Sequence, residues 1–188
     1  MRILMLGNSF TFYNDMPKIL AEMLGAEVVA HTRGGASLRE HLNPETELGK
    51  KTLPALKDEK WDYVVLQEQS NAPVTRKKAF LASARELCAL IRENGATPVM
   101  YATWPYRDGS EKLAGVNMSY GEMADGLYAA YHEAAEESGA LTADVGKAFT
   151  QIHGIVDLYA PDDFHPSPAG SVLAAGTIAR TIEAAERA

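Results

Sequence analysis

The chain has 188 residues, 46% hydrophobic and 23% charged, which is the balance of one globular domain with a sizeable core and not of a disordered chain. Its 25 acidic residues outnumber 18 basic ones, and a net charge of −7 without any long basic run argues against nucleic acid and anionic membrane as partners. The single cysteine excludes an internal disulfide and a cysteine-based zinc site.

In chain order, Ile3-Leu4-Met5-Leu6 reads as a strand buried on both faces. Met16, Ile19, Leu20, Met23 and Leu24 recur at helical spacing, with Asp15 as the cap and Gly25 as the stop. A second strand is expected from Ala26 to Ala30, followed by Gly34-Gly35 and a polar helical region from about Ser37 to Lys57, in which His41 is expected at the surface. Tyr63 to Leu66 is a third strand. A helix is expected from Val74 to Asn94, and Cys88 falls on its apolar face as a buried, inert thiol. Pro98 to Ala102 is a fourth strand with a proline-weakened start, and a helix from about Ser119 to Glu137 follows. Leu141 to Val145 is a short fifth strand, and the final helix opens with Ser167 as N-cap and Pro168 at its first position. There is no apolar run of about 20 residues, the length a membrane span needs. No signal-peptide pattern opens the chain, so the cytoplasm is the expected location.

Strand–helix alternation without a linker predicts one α/β domain over residues 1–188, a parallel sheet with helices on both faces. In such sheets ligands gather at the carboxyl ends of the strands, where the strand order reverses. Three loops there are unusual: "LGNSFTFYN", "TRGGASLREH" and "VVLQEQSNAP". With the order 2-1-3-4-5, Ser9 and the Gln67–Gln69 segment face each other across one crevice.

A serine hydroxyl needs a base to become a nucleophile, and histidine oriented by a carboxylate is suited to that task. Among five histidines only His165, in "PDDFHPSPAG", has an acid, Asp162, in a fixed local geometry. Taken singly these residues have ordinary readings: a serine after a strand usually caps a helix, and Asp-x-x-His is usually a turn. Asp163 reads as solvated or capping, and His153 and Asp157 as structural. Glu68 and Asp162 could instead be paired carboxylates for glycoside cleavage, a reading that leaves the serine and histidine unexplained. Trp104 and Tyr106, in "ATWPYRDG" after the fourth strand, either line a pocket wall or simply pack.

Together, "GNSFT", "GGASL" and "DDFHPS" resemble the SGNH (GDSL-type) hydrolases in order and spacing over nearly the whole chain. The resemblance implies a flavodoxin-like three-layer α/β/α fold with a five-stranded parallel sheet, and ester hydrolysis through a serine acyl-enzyme with no metal or organic cofactor. It implies Ser9 as nucleophile, Asp162 and His165 as the remaining catalytic pair, and the backbone N–H groups of Ser9 and Gly35 as oxyanion donors. Two blocks depart from the family pattern: Asn8 stands where the family has aspartate, and the third block lacks Gly-x-Asn-Asp. "LQEQSN" is similar to the third block of SGNH-like sialate and carbohydrate acetylesterases, which makes Gln67 the preferred oxyanion donor. A gapless alignment makes it Gln69. The expected function is removal of a small acyl group, acetyl first, from a carbohydrate or related metabolite, with thioesters and lysophospholipids also open. The competing reading is a flavodoxin-like protein that binds an anion or nucleotide at Gly34-Gly35. The oligomeric state is not indicated.

Overall fold

A computed structural model describes residues 1–187. Strand β1 (Arg2–Gly7) has no solvent face: Ile3 and Met5 pack to one side and Leu4 and Leu6 to the other, all fully buried. It is followed by helix α1 (Ser9–Phe12), α2 (Met16–Leu24), β2 (Glu27–Thr32), α3 (Leu38–Leu42), α4 (Glu47–Asp58), β3 (Tyr63–Leu66), α5 (Ala72–Thr75), α6 (Lys77–Asn94), β4 (Thr97–Tyr101), α7 (Glu111–Ala114), α8 (Tyr120–Ser138), β5 (Leu141–Ala143), α9 (Val145–Gln151) and α10 (Pro168–Glu186). All strands pair in parallel in the order β2-β1-β3-β4-β5. In register, Leu6 lies opposite His31 and Leu66, and Leu66 opposite Met100.

The alternation along each strand divides the core in two. Leu4, Leu6, Val64, Leu66 and Met100 meet α3, α4, α6 and α8, while Ile3, Met5, Val65, Val99 and Tyr101 meet α2, α9 and α10. This is the expected three-layer flavodoxin-like sandwich. The order reverses at β1, whose neighbours are β2 and β3, so the loops after these three strands share one edge.

Several local expectations are corrected. The single helical region over Ser37–Lys57 is two helices, because Pro44 pushes Asn43 out of the helical region to φ −92 and ψ 109, and Thr46 then caps α4. The helix expected from Val74 is likewise two, α5 and α6, broken at Arg76. Asp15 stands at the N-cap of α2, but in a left-handed conformation and without a capping hydrogen bond from its side chain. His41 is not on the surface: it is fully buried, with Nδ1 2.9 Å from Thr52 Oγ1, and burial aided by nearby His31 drives its pKa down to about 4. Ser167 and Pro168 start α10 as expected, the serine hydroxyl accepting the Gly170 N–H. Cys88 is buried, and desolvation pushes its thiol up to about 11.

Candidate active site

Ser9 follows β1 directly. The first turn of α1 begins at Asn8, whose side-chain oxygen accepts the Phe10 N–H and whose carbonyl accepts from Thr11 and Phe12. The Asn8 N–H goes to Gln67 Oε1. Of the amides that open this turn, only the Ser9 N–H has no partner among the described residues, so it remains a free donor beside its own hydroxyl.

The Ser9 hydroxyl lies 2.8 Å from His165 Nε2, and His165 Nδ1 lies 2.6 Å from Asp162 Oδ2. The other Asp162 oxygen accepts the backbone N–H groups of Phe164 and His165. Burial raises the Asp162 pKa, but these bonds from the His165 ring and the two amides outweigh it and hold the carboxyl below its ordinary value. The aspartate is therefore ionised and fixes the histidine tautomer: Nδ1 carries the proton and Nε2 faces the serine as an acceptor. The ring is also clamped by aromatics. Tyr13 stacks on it, and Phe164 packs at 4.0 Å between centroids.

A cavity of about 390 Å3 opens over Ser9 and His165. Gly34 and Gly35 form one wall, Phe12 and Tyr13 another, and Gln69 and Ser70 a third. Gly35 has φ +67, a left-handed conformation that glycine adopts without the strain a side chain brings, although a side chain there would meet open space. Gly7 is needed for the opposite reason: an added Cβ would lie 2.4 Å from Thr11 Oγ1 and 2.7 Å from Gln67 Oε1.

The two glutamines occupy different places. Gln67 lies beneath the site, 1% exposed, and is not among the residues that line the cavity. Its Oε1 accepts the Asn8 N–H at 2.9 Å and the Thr11 hydroxyl at 3.0 Å, and its amide N–H donates to the Glu68 carbonyl. A backbone N–H can only donate, so this network fixes which end of the amide is oxygen and ties one of its two N–H donors to the Glu68 carbonyl. Gln69 is on the cavity wall. Arg76 donates to its Oε1 at 3.0 Å, which turns the NH2 end toward Ser70 and the cavity. Asn8, the other departure from the family pattern, donates from Nδ2 to the Ala36 carbonyl at 2.8 Å and so ties the loop after β2 to the loop after β1.

Trp104 and Tyr106 also lie elsewhere than on the cavity wall. Trp104 is fully buried in a stack, Phe149–Trp104–Phe10, with centroid spacings of 4.2 and 4.5 Å. Its Nε1 donates to the Phe164 carbonyl and so anchors the His165 loop. Tyr106 bonds Ser70 Oγ at 2.8 Å and opens onto a separate cleft shared with Asp162 and Lys112. Asp163 pairs with Arg107, as does Asp157. Tyr13 and Phe164 are site residues that sequence patterns did not single out. Glu68 is buried and does not line the cavity, so it is not placed as a partner of Asp162 in glycoside cleavage. Among the described residues no group of three or more His, Cys, Asp or Glu side chains could hold a metal ion, and no helix is long and apolar enough to cross a membrane.

A hydroxyl, an imidazole and a carboxylate in a hydrogen-bonded line at the switch point of a parallel sheet define a serine hydrolase. The chain belongs to the GDSL-like lipase/acylhydrolase family, whose model matches residues 5–173, and this membership makes esters its substrates. It is 50% identical to a presumed SGNH hydrolase of Slackia heliotrinireducens, with a TM-score of 0.93 over 97% of this chain and 98% of that one. A DUF4886 family protein of Bacteroides uniformis is 23% identical, with a TM-score of 0.74 over 96% of this chain and 82% of that one. An acetylxylan esterase of Geobacillus stearothermophilus is 18% identical, with a TM-score of 0.67 over 96% and 93%. The last two likenesses concern the fold. None of the curated proteins matches the chain. Family membership leaves the anion- or nucleotide-binding reading without support.

Proposed function

We propose that the protein removes small acyl groups, acetyl first, from a carbohydrate or related metabolite through an acyl-enzyme on Ser9. The observation that carries the mechanism is the 2.8 Å contact between Ser9 Oγ and His165 Nε2. His165 Nε2 takes the Ser9 proton as Oγ bonds to the ester carbonyl carbon. The resulting oxyanion meets the Ser9 N–H, the Gly35 N–H and the Gln69 side-chain N–H. On collapse the bond to the alcohol breaks, and His165 returns its proton to the leaving oxygen. Water then attacks the acyl carbon with His165 as base, which releases the carboxylic acid and restores Ser9.

Two features support this substrate class. Phe10, the residue after Ser9, lines the cavity and is stacked on the fully buried Trp104, which makes a rigid aromatic wall next to the nucleophile and leaves room for a short acyl group. The remaining lining combines aromatic faces, Phe12 and Tyr13, with the polar heads of Gln69 and Ser70, a mixture suited to a sugar ring. The activity of the Geobacillus stearothermophilus acetylxylan esterase, which shares the fold, points to the same substrate class. The test is a series of p-nitrophenyl esters of increasing chain length together with acetylated xylo-oligosaccharides, alongside fluorophosphonate labelling read by mass spectrometry. Labelling at Ser9, with kcat/KM highest for acetyl and release of acetate from the oligosaccharides, is expected. A preference for long chains would overturn the substrate class, and an unlabelled, folded, inactive protein would overturn the mechanism.

A further inference from the structure

Glu68 is a carboxylate that the reaction just described does not use, yet it is 3% exposed at the centre of the loops that would hold the oxyanion. Its Oε1 accepts the Gln69 N–H at 2.6 Å, and both its oxygens lie 3.4 Å from the Leu38 N–H, the first residue of α3. Its own N–H donates to the Tyr131 hydroxyl at 3.1 Å, and its carbonyl accepts from Gln67 and Asn8. The side chain therefore joins the loop after β3, which carries Gln69, to the segment after β2, which carries Gly35 three residues before Leu38. Among the described residues no other side chain hydrogen bonds to backbone groups of both segments except Asn8, which does so through their carbonyls.

We propose that Glu68 is a positioning residue: its carboxylate clamps the Gln69 and Leu38 amides together and so sets the gap between the oxyanion donors of the β2 and β3 loops. This rests on the serine-esterase reading above. Both Glu68 oxygens face N–H donors, so the arrangement suits the ionised form. A proton on the carboxyl would point at an amide hydrogen and break one arm of the clamp. Burial pushes the Glu68 pKa up to about 7, against the pull of the Gln69 and Leu38 amides and the Arg76 charge, with Glu40 adding to the rise. Tyr131 on α8 is the remaining titratable group against it, and its hydroxyl stays neutral because burial raises its pKa further. The clamp would then loosen on acidification.

Glu68→Gln keeps the shape and one acceptor but sets an NH2 against the Leu38 N–H. Measured on p-nitrophenyl acetate, it should lower kcat and kcat/KM together by about ten-fold with KM nearly unchanged, the loss expected for one charge-assisted bond to a group that acts only in the transition state. Its Tm should be no lower than that of the parent, because the amide removes a buried charge; a residue that served only stability would not divide the two effects this way. The acid limb of kcat should be steeper in the parent than in the variant, which has lost the Glu68 proton. Unchanged kcat in a folded Glu68→Gln protein, or a loss in KM alone, would overturn the proposal. Glu68→Asp keeps the charge but is one methylene too short to span the Gln69 and Leu38 amides, so an unchanged kcat in that variant overturns the proposal even if Glu68→Gln fails to fold. A parent that is neither active on esters nor labelled at Ser9 refutes the esterase reading itself, whereas an active, labelled parent with an indifferent Glu68→Gln refutes only the clamp.

Discussion

The ring of His165 lies flat against Tyr13, with centroids 4.2 Å apart and planes within 2°. The proposed reaction makes this ring cationic at each proton transfer, and an aromatic face stabilises such a cation by roughly 0.5–2 kcal/mol. Tyr13→Ala should therefore lower kcat/KM by about ten-fold, since 1.4 kcal/mol is a factor of ten, while Tyr13→Phe should stay near the parent. Steady-state kinetics on one acetyl ester decides it: equal losses for both variants would mean that the hydroxyl, not the ring, matters.

Ser9→Ala should remove ester hydrolysis by about 10³-fold or more and leave the fold intact, because it deletes one hydroxyl at the mouth of a cavity. Asp162→Asn should also be severe, but with a residue of activity, since the Phe164 and His165 amides still hold the turn through the remaining side-chain oxygen. Near-parental activity in Ser9→Ala, with contaminating esterase excluded, would refute the mechanism.

The two glutamines should separate by kind of effect. Gln69→Ala should lower kcat and kcat/KM by about 10²-fold with KM little changed, as expected on removing one oxyanion donor. Gln67→Ala should act on stability, because it strands the buried Asn8 N–H and removes a donor from the Glu68 carbonyl, at about 1–3 kcal/mol per unsatisfied group. Urea unfolding and kinetics on both variants give the answer. A stable Gln67→Ala with a large fall in kcat would restore Gln67 as the donor.

Two buried groups should pull stability in opposite directions with pH. Glu68 titrates near 7 in the folded protein against an ordinary 4.5, so its contribution is fully present below the lower value and is lost as pH rises to about 7. His41 titrates near 4 against an ordinary 6.5, so its contribution is present above the higher value and is lost as pH falls to about 4. Each shift corresponds to roughly 3 kcal/mol, so the two largely offset across the mildly acidic range. Unfolding free energies between pH 4.5 and 6.5 should fall more steeply on acidification in Glu68→Gln than in the parent, and should rise in His41→Gln. Parallel curves for all three proteins would contradict this.

The strands were legible because apolar runs are local signals, whereas Ser9, Asp162 and His165, ordinary when taken singly, were legible only because three blocks together resemble one family in order and spacing. What stayed hidden depends on which way a side chain turns. Gln67 follows β3 at once with its N–H still bonded to the Leu6 carbonyl, and that regular backbone is what aims its side chain down into the Asn8 network, while Gln69, further along the loop, turns toward the cavity. Trp104 and Tyr106 carry no mark that distinguishes a wall from a buried stack. His41 sits among polar residues, and only the packing of α3 against Thr52 on α4 buries it. The break at Asn43 was readable from Pro44; the one at Arg76 has no such marker.

Ser9 and His165 are 156 residues apart in the chain. During synthesis all five strands are therefore made before the imidazole exists. The segment that brings it runs straight on into α10, which covers the Ile3 and Met5 face of the sheet. The catalytic base and the last piece of hydrophobic cover thus arrive together, and closing so long a loop is among the slower events of folding. A chain that stops short of this segment therefore lacks at once the imidazole partner of Ser9 and the cover of the Ile3 and Met5 face.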